Sequence, residues 1–206
     1  MIPASHSKLG RWFWGGFSRW GIKLAFAEMR YPAQQVVDPN RSILLLGNHI
    51  SWWDGFWPLE LNRRHFNKKY HVMMLEEELN KRPFMAKGGA FSINPGSRDV
   101  VKSLRYAADL LHDPGNLVVI YPQGKIHSQH ETDITFNAGV KKIAEWAPAE
   151  TQVFFSAALL DYGAQARPTL TYYLEEYSPK DQSDLQAAYA QFNARALAAQ
   201  RAAWHL

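Results

Sequence analysis

The chain has 206 residues, a formal net charge of +4, 47% hydrophobic residues and no cysteine. That length suits one domain with a sizeable core, and the lack of cysteine excludes disulfides, thiolate metal sites and a cysteine acyl-enzyme. No window is long and apolar enough to span a bilayer and the start lacks the smooth apolar core of a cleavable leader, so a cytoplasmic setting is expected.

The positive charge is concentrated at the start. Residues 1–37 hold Lys8, Arg11, Arg19, Lys23 and Arg30 against the single acid Glu28, while the 18 basic and 18 acidic residues that follow cancel. Wound at about 100° per residue, Phe13, Phe17, Trp20 and Leu24 share one side of a helix and the cations take the opposite arc. Trp12 and Phe26 fall among the cations. Two readings stand open. One is an amphipathic helix lying in a membrane interface, aromatics at headgroup depth and cations toward anionic lipid; the other is a terminal helix packed on its own domain. Gly10, Gly15, Gly16 and Gly21 weaken an isolated helix, so its completion on lipid is expected. Nucleic acid is not an expected partner, because the rest of the chain has no basic excess.

After Pro32 and the Asp38-Pro39-Asn40 turn, strand-like and helix-like segments alternate. Predicted strands are Ile43–Gly47, His71–Leu75, Ala90–Ile93, Leu117–Tyr121, Val153–Leu159 and Thr169–Leu174. Predicted helices are Asp54–Arg64, Arg98–His112, Ala138–Trp146 and Leu185–Trp204. This order implies an α/β fold: one layered domain with a mixed, largely parallel central sheet flanked by helices. The expected division is an N-terminal arm, 1–37, and a main domain, 38–206.

The first strand runs into Asn48-His49, and Asp54 follows five residues after the histidine. With His49 at the strand end and Asp54 in the next helical turn, the carboxylate can fix the imidazole tautomer and leave the other nitrogen free to take a proton. Ser51-x-x-Asp54 is equally a helix-capping pattern. The two readings are compatible, since a helix N-terminus favours the ionised carboxylate that orients a base.

A second strand-to-turn junction reads Tyr121-Pro122-Gln123-Gly124-Lys125. Together the two blocks resemble the glycerolipid acyltransferase family of the lysophosphatidate acyltransferase type, whose signature pairs Asn-His-x4-Asp with a later Phe-Pro-Glu-Gly-type block. The resemblance runs from roughly Ile43 to Phe155. It implies direct acyl transfer: His49, oriented by Asp54, deprotonates an acceptor hydroxyl as it attacks a thioester, with acyl-CoA or acyl-carrier protein as donor and no cofactor or metal. The tetrahedral oxyanion needs donors, expected from backbone near Gly124, with Asn48 bracing the turn. Trp52, Trp53 and Trp57 either wall an acyl chain or fill the core.

The family's middle block resembles Gly-x-Phe-x-x-x-Arg, its arginine gripping an acceptor phosphate. Here Gly88-Gly89-Ala90-Phe91 align, but the arginine is displaced to Arg98; Ser97 capping the next helix, with Arg98 solvated, is the other reading. In the second block glutamine replaces glutamate at Gln123, and Lys125-Ile126 stands where Thr-Arg is usual. Gln123 keeps the shape but not the charge, and Lys125 is a point charge rather than a fork. Arg98, Gln123 and Lys125 are therefore the expected acceptor contacts, and the acceptor is expected to be a lysolipid or glycolipid. His127 and His130 suggest a metal site, but no third ligand is evident. Competing readings are a lipid hydrolase using the same pair with water, or a non-catalytic lipid-binding scaffold.

Overall fold

The computed structural model describes residues 1–33, 35–178 and 184–204. One sheet contains β1 Glu28–Arg30, β2 Ile43–Gly47, β3 Lys69–Leu75, β4 Ala90–Ile93, β5 Asn116–Ile120, β6 Gln152–Asp161 and β7 Thr169–Tyr177. Its spatial order is β1-β7-β6-β2-β5-β3-β4. Neighbours run parallel except β6 and β7, which pair antiparallel.

The central strands β2 and β5 are buried along their whole length, which is why they read as unbroken apolar runs rather than alternating ones. Successive side chains still divide between two faces. Ile43, Leu45, Leu117, Val119 and Phe154 join one cluster, with Ile22 of α1 Lys8–Ala25 and Trp57 and Leu61 of α2 Trp57–Leu61. Leu44, Leu46, Val118, Ile120 and Phe155 join the other. That face is covered by α4 Val100–Leu110, α5 Ala138–Trp146 and α6 Leu185–Ala203, while α3 Glu76–Lys81 follows β3.

The helix expected over Asp54–Arg64 is three pieces. A 3-10 turn spans Trp52–Gly55, α2 carries Pro58 at its start, and a π-type turn spans Asn62–Phe66. Pro58 lacks the N–H that a continuous helix would need from it. The short α3 was not predicted; Glu76-Glu77-Glu78 supplies its first turn, where acids suit the helix N-terminus.

Residues on both sides of the 37/38 boundary share one sheet and one core. β1 pairs with β7, and Ile22 and Phe26 belong to the main core. Within α1 the buried positions are Gly10, Trp14, Ser18 and Ile22, a third arc that lies between the aromatic stripe and the cations. Gly10 lets this helix approach the Lys87 backbone closely, since a Cβ there would lie 2.5 Å from the Lys87 carbonyl oxygen. Phe13, Phe17, Trp20 and Leu24 stay exposed, Leu24 at 71%.

Residues 2–7 run along the β4 edge, with Ile2 and Ser92 exchanging contacts and Ser5 and Ser7 donating to Ala86 and Lys87 carbonyls. There His6 Nε2 lies 3.4 Å from His71 Nδ1, and His71 Nε2 is 3.3 Å from Asn116 Oδ1. Burial, then Lys69 and Arg11, push His6 down to about 4; burial, then His6, push His71 down to about 4. Both folded values lie below the ordinary 6.5, so the unfolded chain takes up protons that the folded chain refuses. Their contribution to stability is complete above pH 6.5 and is lost as pH falls toward about 4. The urea midpoint is expected to drop across that window, and a His6→Gln/His71→Gln variant to show a flatter profile.

Candidate active site

β2, β5, β3 and β4 run parallel, so their carboxyl ends open on one edge, where α/β sheets place their ligands. Asn48 pins the chain as it leaves β2: Nδ2 donates to the Ala158 carbonyl at 2.9 Å and Oδ1 accepts the Ala158 N–H at 2.8 Å. The amide thereby continues the β2–β6 pairing by one more step.

Beyond it the chain folds back. Ser51 Oγ accepts the Trp53 N–H, and the Asp54 carboxylate answers by accepting the Ser51 N–H at 2.9 Å, a closed capping box. The same oxygen, Asp54 Oδ2, accepts the Ile50 N–H at 2.7 Å and stands 2.6 Å from His49 Nδ1. The capping and dyad readings of this motif are thus one geometry. The Asp54 side chain is 2% exposed and that of His49 26%, which buries the carboxylate and leaves the imidazole open to a substrate. Burial pushes the Asp54 carboxyl up, against the hydrogen bonds from His49, Ser51 and Ile50 that favour its charge. With Nδ1–H donated to Asp54, Nε2 is the basic nitrogen.

The turn after β5 grips this loop. Gln123 Oε1 accepts the His49 N–H at 2.7 Å, and the His127 N–H donates to the His49 carbonyl at 2.8 Å. Gln123 therefore braces the histidine through its oxygen, while its Nε2 has no hydrogen-bond partner among the described residues. Gly124 sits at φ +72, where a Cβ would lie 2.5 Å from Asn137 Nδ2. Its own N–H donates to the Tyr121 carbonyl at 3.0 Å. Lys125 is exposed and Ile126 is 54% exposed.

Sequence reasoning missed Tyr121. Its ring stacks on the His49 imidazole with centroids 4.8 Å apart, and its hydroxyl donates to the Asp54 backbone carbonyl. One side chain thus touches both members of the pair. Gly47 makes room for it, because a Cβ there would meet the Tyr121 ring at 3.1 Å. Tyr121→Phe keeps the ring and loses the hydroxyl's grip, so kcat is expected to fall about fivefold with KM unchanged, as steady-state kinetics will show.

The three tryptophans separate. Trp57 is fully buried core, Trp53 packs on Phe26 and Gly21, and Trp52 is 55% exposed. Arg98 is exposed beyond β4, with no ion pair among the described residues. Three strand spacings put the end of β4 roughly 14 Å from that of β2, and Arg98 follows five residues after β4 ends at Ile93. Ser97 Oγ accepts the Asp99 N–H in a turn, and α4 begins only at Val100. His130 is exposed, and among the described residues no three His, Cys, Asp or Glu side chains converge as a metal set.

The model of the family described as Acyltransferase matches residues 28–156. Comparison with curated protein sequences gives no match. Among solved structures, the 1-acyl-sn-glycerophosphate (LPA) acyltransferase PlsC from Thermotoga maritima is similar with a TM-score of 0.59. The alignment has 14% identity and covers 89% of this chain and 75% of that one. At that identity the likeness is one of fold.

Proposed function

The chain belongs to the Acyltransferase family, and from that premise we propose that it is a membrane-associated O-acyltransferase moving a fatty acyl group from an acyl-CoA or acyl-carrier-protein thioester to a hydroxyl of a lysophospholipid-like or glycolipid acceptor. The observation that carries this reading is the 2.6 Å contact between His49 Nδ1 and a buried Asp54 carboxylate, at the open edge of the sheet.

His49 Nε2 removes the acceptor hydroxyl proton as that oxygen attacks the thioester carbonyl. The tetrahedral intermediate collapses with cleavage of the C–S bond, and the imidazolium returns its proton to the departing thiolate. Asp54 holds the ring and offsets its transient charge. Since the Gly124 N–H is occupied, the available oxyanion donors are Gln123 Nε2 and the backbone beyond Gly124. The neutral Gln123 and the apolar Ile126 leave Lys125 as the nearby cation of this turn. That composition supports an acceptor recognised less through a phosphate monoester than through hydroxyls.

The reading is tested by following thiol release from an acyl thioester. A transferase releases thiol in proportion to added lipid acceptor; release that ignores the acceptor marks a hydrolase and overturns the assignment.

Membrane association is supported by the exposed stripe of α1, which Trp52 and Phe84 extend; Phe84 stacks on Trp14 with centroids 5.3 Å apart and is 49% exposed. A contiguous exposed apolar patch of this kind marks an interaction surface. The bilayer would thereby meet the protein beside the catalytic turn, on its cytoplasmic face. Replacing Phe13, Phe17, Trp20 and Leu24 by serine leaves the buried arc of α1 intact and is expected to lower partition onto vesicles at least about tenfold, read by co-sedimentation.

A further inference from the structure

We propose that the groove between α1, β1 and α2 binds the phosphate of an anionic membrane phospholipid, at a site separate from the catalytic centre. This rests on the membrane docking of α1 proposed above and adds a lipid class to it.

The groove has a volume of about 280 Å³ and is lined by the exposed cations Arg19, Lys23 and Arg64 together with Ile22, Phe26 and Met29. Ile22 and Phe26 are core residues, 7% and 5% exposed, so an apolar floor lies under a charged rim. Arg19 and Lys23 are four residues apart and present neighbouring faces of α1 to the same opening.

The charges of the rim do not cancel. Of the two acids that line the groove, Glu28 and Glu60, Glu60 accepts two hydrogen bonds from Arg63, at 2.9 and 2.5 Å, and a third from Arg64 Nε at 3.1 Å. Glu28 is paired with Arg30 at 3.0 Å. Arg19 and Lys23 have no ion pair among the described residues, and the Lys23 ammonium lies over the Trp20 ring, 5.6 Å from its centroid. Arg64 is held in place by stacking on Tyr31, 4.1 Å from the ring centroid. The unpaired surplus therefore lies on Arg19 and Lys23, with Arg64 shared between Glu60 and the opening.

Arg19 and Lys23 are two of the five basic residues that the sequence concentrates in its first 37 positions. An amphiphile answers both halves of the groove, its phosphate meeting the cations and its glyceryl esters the floor. Free phosphate would leave the floor unused. Neither His49, Asp54 nor Gln123 lines the groove, and the exposed aromatic stripe of α1 occupies a different arc. The helix can thus insert its aromatics while its other flank takes a headgroup.

Co-sedimentation with phosphatidylcholine vesicles, with and without phosphatidylglycerol, tests the assignment. The intact chain is expected to prefer the anionic vesicles. Arg19→Gln/Lys23→Gln is expected to lose that preference by about tenfold, whereas Lys8→Gln/Arg11→Gln, which removes equal charge from the same helix away from the groove, loses about threefold or less. Equal losses from the two variants mean diffuse attraction and overturn the groove. Equal binding of the intact chain to both vesicle types overturns the groove and leaves docking standing; binding to neither overturns both. Inorganic phosphate titrated alone is expected to leave the Arg19 and Lys23 NMR signals in place. Saturable shifts there without vesicle preference would assign a free-phosphate site and reject the lipid.

Discussion

Replacing His49 by alanine is expected to lower acyl-transfer turnover by about 10²–10⁴-fold, the usual worth of a positioned general base. The loss should fall on kcat, because the imidazole acts on a proton in flight rather than on the resting substrate. Its side chain is part-exposed and its backbone contacts to Gln123 and His127 survive the change, so the fold is expected to persist. Unaltered circular dichroism and melting temperature beside the lost rate would separate the chemical role from a structural one.

The second large effect is expected from Asp54→Asn, about 10²–10³-fold in kcat. Asparagine can offer its oxygen to the donors now gathered on Oδ2, and its amide fills the place of Oδ1, a buried atom without a partner. The loop thus keeps its shape while the charge that offsets the imidazolium is gone. Protonating Asp54 at acid pH should act in the same direction, and the acid limb of the pH–rate profile should flatten in the variant. Asp54→Ala is a different experiment. It leaves the Ile50 and Ser51 N–H groups and the imidazole without their shared acceptor, so a fall in melting temperature is expected along with the rate.

Much of this architecture is legible because it rests on local rules. β2 is an apolar run closed by Gly47 and Asn48, and its boundaries follow from that run. The Ser51-x-x-Asp54 box is a capping motif that also carries the pair, so one short pattern encodes both the turn and its chemistry. What the sequence conceals depends on distant partners. β1 is three residues long and exists because β7 offers it an edge; nothing in Glu28-Met29-Arg30 marks a strand. The first helix shows an aromatic and a basic arc in its periodicity. The arc it buries is made of Gly10, Trp14, Ser18 and Ile22, which no hydropathy pattern selects, since two of the four are small.

The site follows the same division. His49 and Asp54 are five residues apart and announce each other. Tyr121 and Gln123 reach them from another strand, through the register that sets Leu46 beside Ile120. Gly47 was the available signal: a glycine at the strand end before Asn-His leaves space that an aromatic from the neighbouring strand fills. Gly124, named for the backbone expected near the oxyanion, carries a constraint that no sequence pattern shows. The turn that gives this glycine its positive φ also points its N–H back at the Tyr121 carbonyl.

The most direct measurement is product mass spectrometry after incubating the purified chain with a labelled acyl thioester and lysophospholipid or glycolipid acceptors, beside His49→Ala. The expected result is a new acylated lipid formed by the intact chain and reduced at least about a hundredfold in the variant. The same acylated lipid at the same rate from both would contradict catalysis by His49.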